Sequence, residues 1–278
     1  MRVAACQMVS STDLTANLAA AEQLLKQAAD AGAELAVLPE YFCLMGANDS
    51  DKLRVAESYG SGAIQDCMSR CASQFKLWVV GGTVPLISPE AGKVFNSTLA
   101  WNPEGQTAAR YDKIHLFKFD NGSESYDESS TITPGKVPVT FDLPSQDGHT
   151  WRVGLSICYD LRFPELYRAL RADVLLVPSA FTHTTGSAHW ELLLRARAIE
   201  NLAYVLASAQ GGSHDNQRRT WGQSMVVDPW GNIQAQRADG QGVVVADIEI
   251  SGLSAMRMQL PALAHVVLTP GTFGHAAL

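Results

Sequence analysis

The sequence predicts one α/β domain over residues 1–278. Three observations point there: strand-like and helix-like segments alternate along most of the length, the apolar content suits a packed globule, and nothing divides the chain into halves. Hydrophobic residues make up 46% and charged residues 18% of the chain, far from the polar, highly charged regime of disordered sequences. No linker rich in Pro, Gly or Ser and no solenoid-period repeat interrupts it.

The elements follow in order. Residues 2–7 read as a short buried strand. Ser11-Thr12-Asp13 then offers a cap to a helix whose apolar positions Leu14, Leu18, Ala21, Leu24, Leu25 and Ala28 recur at helical spacing, and Gly32 ends it. Residues 34–38 form the next strand, which Pro39 closes, leaving Glu40 just beyond its C-terminal end. A helix near 61–75, the strand 78–80, the pair Gly81-Gly82 and the strand 96–101 repeat the cycle. The polar stretch from Phe117 to Thr133 reads as a long surface loop, of the kind that often carries function. Beyond it come strand 151–157, helix 164–171, strand 174–177, helix 188–201 and strands 203–209, 223–227 and 243–248.

Composition excludes several functional classes. The formal net charge is -7 and the Lys and Arg residues are scattered, so neither nucleic acid nor an anionic membrane is an expected partner. No stretch approaches the roughly 18 apolar residues of a membrane span, and the first residues lack the apolar core of a signal peptide. Cys6, Cys43, Cys67, Cys71 and Cys158 have no disulfide-scaffold spacing, which fits a reducing cytoplasm. Cys67 and Cys71, four apart on a helix, read as packing residues. His183, His189 and His214 lie in separate segments without companion ligands, so no metal or cofactor is expected.

The chemistry gathers in the segment from Arg152 to Glu165. An apolar strand runs into a turn and Pro164 opens a helix, which sets Cys158 at a strand-to-helix elbow where backbone N–H groups can face a developing oxyanion. Taken without that context, a lone cysteine is more readily a packing residue. A thiol with a pKa near 8.5 also needs a base or a cation to react at neutral pH. Glu40 and Lys113 both follow strands, and the C-terminal strand ends of an α/β sheet are where ligands collect. Read singly, each is more readily a solvated surface charge.

Three segments together resemble the signature regions of the nitrilase superfamily of carbon–nitrogen hydrolases: Leu38-Pro39-Glu40, Tyr111-Asp-Lys113-Ile-His-Leu-Phe117 and Gly154-Leu-Ser-Ile-Cys158-Tyr-Asp-Leu-Arg-Phe-Pro-Glu165. They occur in the family's order at similar separations, and the likeness runs to about residue 268. The resemblance implies a four-layer αββα sandwich, with Glu40 as general base, Lys113 as oxyanion-stabilising cation and Cys158 as nucleophile. The family's second glutamate falls on Glu128, with Glu124 and Asp127 close by. No cofactor is implied. A homodimer or higher homo-oligomer is expected, with the C-terminal tail from about residue 252 in subunit contact.

Within that family, the segments Pro178 to Asn201 and Ser224 to Gly231 resemble the amidase branch containing deaminated glutathione amidase and omega-amidase. That likeness implies hydrolysis of a small carboxylate-bearing amide of a 2-oxo acid through a cysteine thioester, with ammonia leaving. Expected substrate contacts are Tyr159, Arg162, Phe181, His189 and Trp190, with Arg162 or Arg195 as a bidentate carboxylate anchor. Arg195 and Arg197 equally suit pairing with Glu191 or Glu200 along a helix. Lys118, Gln223 and Val266 depart from the branch's usual residues and bear on substrate preference or subunit contact. Three rivals follow: a true nitrilase acting on R–C≡N, a peptidase pairing Cys158 with His189, and a non-catalytic binding protein on the same fold.

Overall fold

The computed structural model describes residues 1–267. The last stretch of the expected subunit-contact tail, residues 268–278, lies outside them. The chain opens with β1 (Arg2–Gln7), α1 (Leu14–Asp30) and β2 (Leu35–Val37), then a short α2 (Asp51–Arg54) and α3 (Ala63–Phe75). Four strands follow: β3 (Trp78–Val80), β4 (Val84–Ile87), β5 (Val94–Trp101) and β6 (Thr107–Asp112). A small hairpin, β7 (Lys118–Asp120) with β8 (Ser125–Asp127), precedes the second half. That half comprises β9 (Thr140–Pro144), β10 (Thr150–Leu155), α4 (Pro164–Leu170), β11 (Val174–Ser179), α5 (His183–Asn201) and β12 (Tyr204–Ala209). The pair β13 (Gly211–Ser213) and β14 (Arg219–Trp221), then β15 (Ser224–Val227), β16 (Ile233–Arg237), β17 (Gly242–Asp247) and α6 (Ile250–Gln259), complete it.

Two mixed sheets result. The first runs β17-β1-β2-β3-β5-β4, with β6 also on β5, and the second runs β16-β15-β12-β11-β10-β9. Alternation along β1 explains how they stack. Val3 and Ala5 enter one core with Val153, Leu155, Val174 and Leu176 of the second sheet, whereas Ala4 and Cys6 enter another with Leu24 and Leu25 of α1 and Met68 of α3. Leu166 of α4 and Leu194 of α5 close the far side of the first core. The layers are therefore helix, sheet, sheet, helix, the sandwich the resemblance implied.

Most elements lie where the sequence places them. Asp13 caps α1, its side chain accepting from the backbone N–H groups of Thr15 and Ala16. Two departures matter for the site. The supposed loop after Phe117 folds into the β7–β8 hairpin and a 3-10 turn over Glu128–Ser130, because Asn121 and Asp127 satisfy their own turn N–H groups. Helix α5 begins at His183 rather than at 188, since Thr182 accepts from the N–H of Thr185 and starts the helix one turn and more earlier.

Candidate active site

Three strand ends converge. Glu40 follows β2, Lys113 follows β6 directly, and Cys158 follows β10 at the head of a 3-10 turn over Cys158–Arg162. Gly82 lets the first of these close in. Its φ is +33°, and a Cβ there would collide with the carbonyl of Pro39, so the chain carrying Glu40 crosses the end of β3 only because no side chain intervenes.

The elbow at Cys158 is strained and well braced. Cys158 has φ +49°, the left-handed region that side chains other than glycine seldom occupy. Fully buried Asp160 holds the turn, accepting the Ile157 N–H at 2.8 Å, the Tyr111 hydroxyl at 2.7 Å and the His115 N–H at 3.1 Å. From behind, the Arg197 guanidinium donates twice to the Leu161 carbonyl, at 3.0 and 2.7 Å. Three separate elements thereby fix the direction of one sulfur.

Lys113 is the hub. Its side chain is fully buried, and its ammonium lies 2.9 Å from Glu40 Oε1 and 2.8 Å from Glu128 Oε2. Burial works against the charge, yet the Glu128 and Glu40 carboxylates outweigh it and hold the lysine pKa well above its ordinary value. Burial likewise opposes the Glu128 carboxylate, which Lys113 and the Phe117 N–H at 2.7 Å nonetheless keep below the usual glutamate range. The second oxygen of Glu40 accepts the Ala180 N–H at 3.0 Å, and Oε1 also accepts from Asn96 Nδ2 at 3.0 Å. Tyr41 donates its hydroxyl to Glu128 at 2.8 Å, again from a left-handed backbone, φ +58°.

Cys158 lines the same cavity as Glu40 and Glu128, with 8% of its surface exposed. Its thiol pKa is pushed well above the ordinary value, first by burial and then by the neighbouring Glu40 carboxylate, with Lys113 pulling the other way. A thiol that shares its cavity with a carboxylate is an arrangement suited to base-assisted attack.

Two arms meet at the sulfur. The wide arm, about 670 Å³ including its open mouth, is lined among others by Glu40, Lys52, Phe117, Glu128, Thr182 and Arg218. The narrow arm, about 230 Å³, is lined by Tyr159, Arg162, Phe181 and Thr185 and shares Phe117, Cys158, Ala180 and Thr182 with the first. Three of the five expected substrate contacts, Tyr159, Arg162 and Phe181, line this narrow arm. The other two do not reach it: Trp190 is buried behind Phe181 with its indole N–H on the Gln223 carbonyl, and both Trp190 and His189 line a separate groove. His189 touches the arm only through Arg162, at 3.3 Å. Among the described residues no histidine lines either arm, so the Cys–His pairing loses its geometry.

The other candidates resolve similarly. Glu124 accepts from the Thr184 hydroxyl and Asp127 pairs with Lys118, so Glu128 is the carboxylate that reaches Lys113. Arg195 is held by Glu191 and the Gly231 carbonyl, as a helix-face residue would be, and is no anchor. Gln223 bonds to Gln236, and Val266 is exposed. Sulfurs of Cys67 and Cys71 and a carboxylate oxygen of Glu22 lie within 4.8 Å of one another, but the Arg70 guanidinium stands 3.4 Å from Cys67 Sγ and repels a cation there. Sequence reasoning missed Tyr41, Asn96, Tyr111, Asp160, Lys52 and Arg218. Asp160 and Tyr111 sat inside recognised segments and were legible in principle, whereas the others are ordinary residues until folding brings them in.

Residues 2–258 match the Carbon-nitrogen hydrolase family. The chain is 43% identical to a deaminated glutathione amidase of Synechocystis sp. over 95% of its own length and 97% of that protein. It is 35% identical to human omega-amidase NIT2, over 94% of this chain and 92% of that one. Its fold overlays the C. elegans NitFhit protein with a TM-score of 0.87 at 37% identity, covering 96% of this chain and 65% of that longer one. With the buried Glu–Lys–Glu cluster standing beside a cysteine elbow on a helix–sheet–sheet–helix sandwich, the chain belongs to the carbon–nitrogen hydrolase family.

Proposed function

We propose that the chain is an amidase that hydrolyses a carboxylate-bearing 2-oxo-acid amide, deaminated glutathione foremost, through a thioester on Cys158. The observation carrying this reading is the buried Lys113 ammonium clamped by Glu40 and Glu128, two carboxylates that line the cavity onto which Cys158 opens. An ammonium has three protons. Two carboxylates engage it, which leaves donor capacity for an oxyanion formed in the cavity.

The thiol proton passes to Glu40 as the sulfur–carbon bond forms, and the carbonyl oxygen becomes an oxyanion met by Lys113 and the backbone N–H of Tyr159. Glu40 returns that proton to the amide nitrogen, the carbon–nitrogen bond breaks, and the free amine departs. Water then gives a proton to Glu40 and attacks the thioester. As the carbon–sulfur bond breaks, the proton returns to sulfur and the acid is released. With deaminated glutathione the leaving amine is cysteinylglycine. The ammonia expected from the sequence leaves only when the substrate is a primary amide.

Purified chain should convert deaminated glutathione to 2-oxoglutarate and cysteinylglycine with kcat/KM at least tenfold above that for aliphatic nitriles. Turnover of nitriles with none of any 2-oxo-acid amide would make the protein a nitrilase instead. Greater efficiency on the primary amide of 2-oxoglutarate would favour the omega-amidase reading. The exposed apolar Leu192 and Ile199 on one face of α5, with exposed Trp230, support a homo-oligomer. Five free, buried cysteines suit a reducing cytoplasm, and among the described residues no helix is long and apolar enough to cross a membrane.

A further inference from the structure

The catalytic cluster accounts for the inner end of the wide arm and leaves its mouth unexplained. Two cations line that mouth. Lys52, on α2, donates to the Thr131 hydroxyl at 3.2 Å and lies over the Tyr41 ring, 5.7 Å from its centre. Arg218, just before β14, lies over the Tyr126 ring at 5.2 Å. Among the described residues neither makes an ion pair, although the wall also carries Asp49 and Asp127, the latter already occupied by Lys118. Among the described residues Asp49, which acts on Lys52, is the acidic group on this rim without an ion pair, against two cations.

The loop bearing Arg218 is also fixed in place. Asn216 donates to the carbonyls of Met45 and Gly46, at 3.2 and 2.7 Å, and accepts the Arg218 N–H at 3.0 Å. This ties one wall of the mouth to the segment leading into α2. Aromatic rings flank both cationic side chains and restrict where their charges can point, which lowers the ordering cost of gripping an anion.

Proton transfer decides which end of the substrate faces them. On the proposed mechanism the departing nitrogen takes its proton from Glu40, and Glu40 lines the wide arm but not the narrow one. The amine side of the amide must therefore lie along the wide arm, while the acyl chain occupies the narrow arm beside Arg162. We infer that Lys52 and Arg218 form an anion subsite for the leaving amine, selecting amides whose nitrogen carries an acidic, peptide-sized group. This rests on the amidase reading and adds to it the residues that read the far end of the substrate.

The test uses three substrates with the intact enzyme: deaminated glutathione, the same compound with its terminal carboxylate converted to a carboxamide, and the primary amide of 2-oxoglutarate. Wild-type enzyme is expected to prefer the carboxylate over the carboxamide about 10- to 100-fold in kcat/KM, mostly through KM, as loss of a hydrogen bond to a charged group implies. Arg218→Gln should shrink that preference by a similar factor, and its loss on deaminated glutathione should exceed its loss on the primary amide by as much. Arg218→Lys should recover part of it, and Lys52→Gln should act in the same direction. An undiminished carboxylate preference in Arg218→Gln and Lys52→Gln would overturn the subsite, as would equal losses on all three substrates. Failure of the wild type to hydrolyse any of the three would refute the amidase reading itself.

Discussion

Two regions of this molecule hold cysteine in opposite electrical settings. At the elbow after β10, Cys158 is a thiol whose pKa burial and the Glu40 carboxylate push far up. On α3, Cys67 is held down to about 7, first by a hydrogen bond from Cys71 and, against the cost of burial, by the Arg70 guanidinium, while the Cys71 thiol is pushed up in turn. By thiolate content alone, Cys67 would be named the reactive residue. Cys158, unlike Cys67, opens onto a cavity that the Glu40 carboxylate also lines, with the Lys113 ammonium 2.9 Å behind that carboxylate. On the proposed mechanism, reactivity at Cys158 depends on where the proton can go during attack.

The comparison breaks most directly at the sulfurs. Cys158→Ala should lower kcat by at least about 10⁴-fold, the scale on which loss of a covalent nucleophile is felt. Cys67→Ala should leave kcat within about twofold. The reverse pattern, measured on any amide the enzyme turns over, would move the active centre to α3.

Next in size, on the proposed mechanism, come Glu40 and Lys113. Glu40→Gln keeps the shape and removes the base, so kcat should fall by about 10²–10⁴-fold. Lys113→Ala removes an oxyanion donor, worth about 10²–10³-fold, and leaves two carboxylates facing each other in a buried site, so stability should also drop, by about 3–5 kcal/mol. Linkage gives the sign of the pH effect. The Glu128 carboxyl is held below its ordinary value, so the ion pair's stabilisation is complete above that ordinary value and fades as pH falls through the depressed one. The wild-type melting temperature should therefore drop on acidification more steeply than that of Lys113→Ala. Parallel acid profiles would show that the cluster contributes no linked stability.

Much of this was legible before folding, and unevenly so. Short strands with continuous apolar runs, such as β1 and β11, and the capped helix α1 read directly from periodicity, because local propensity and tertiary packing agree there. Strand β4, with Pro85 in its middle, and β9, with alternate residues exposed, carry weak local signals, and pairing to a neighbour decides them. The three central side chains were legible through motif resemblance, while their mutual distances were not. Glu128 against Glu124 turned on a hairpin of three-residue strands, whose register no pattern in the polar stretch announces. His189 and Trp190 were misplaced for a related reason: helix α5 starts early, and its rotation turns both toward a neighbouring groove.

The smallest effect concerns the α3 pair and sharpens the contrast without touching catalysis. In a Cys158→Ala background, Cys6 and Cys43 have thiols pushed up to about 12 by burial, so alkylation between pH 6 and 9 reports chiefly on Cys67. Its rate with iodoacetamide should rise through an inflection near 7, slowly because only 5% of the residue is exposed. Cys71→Ala removes the donor to the Cys67 sulfur and should move that inflection upward, and Arg70→Gln should move it the same way by less. An inflection near the ordinary thiol value in the parent, or one indifferent to Cys71, would mean that the neighbouring thiol does not hold the charge, and the two cysteine environments would then differ in access alone.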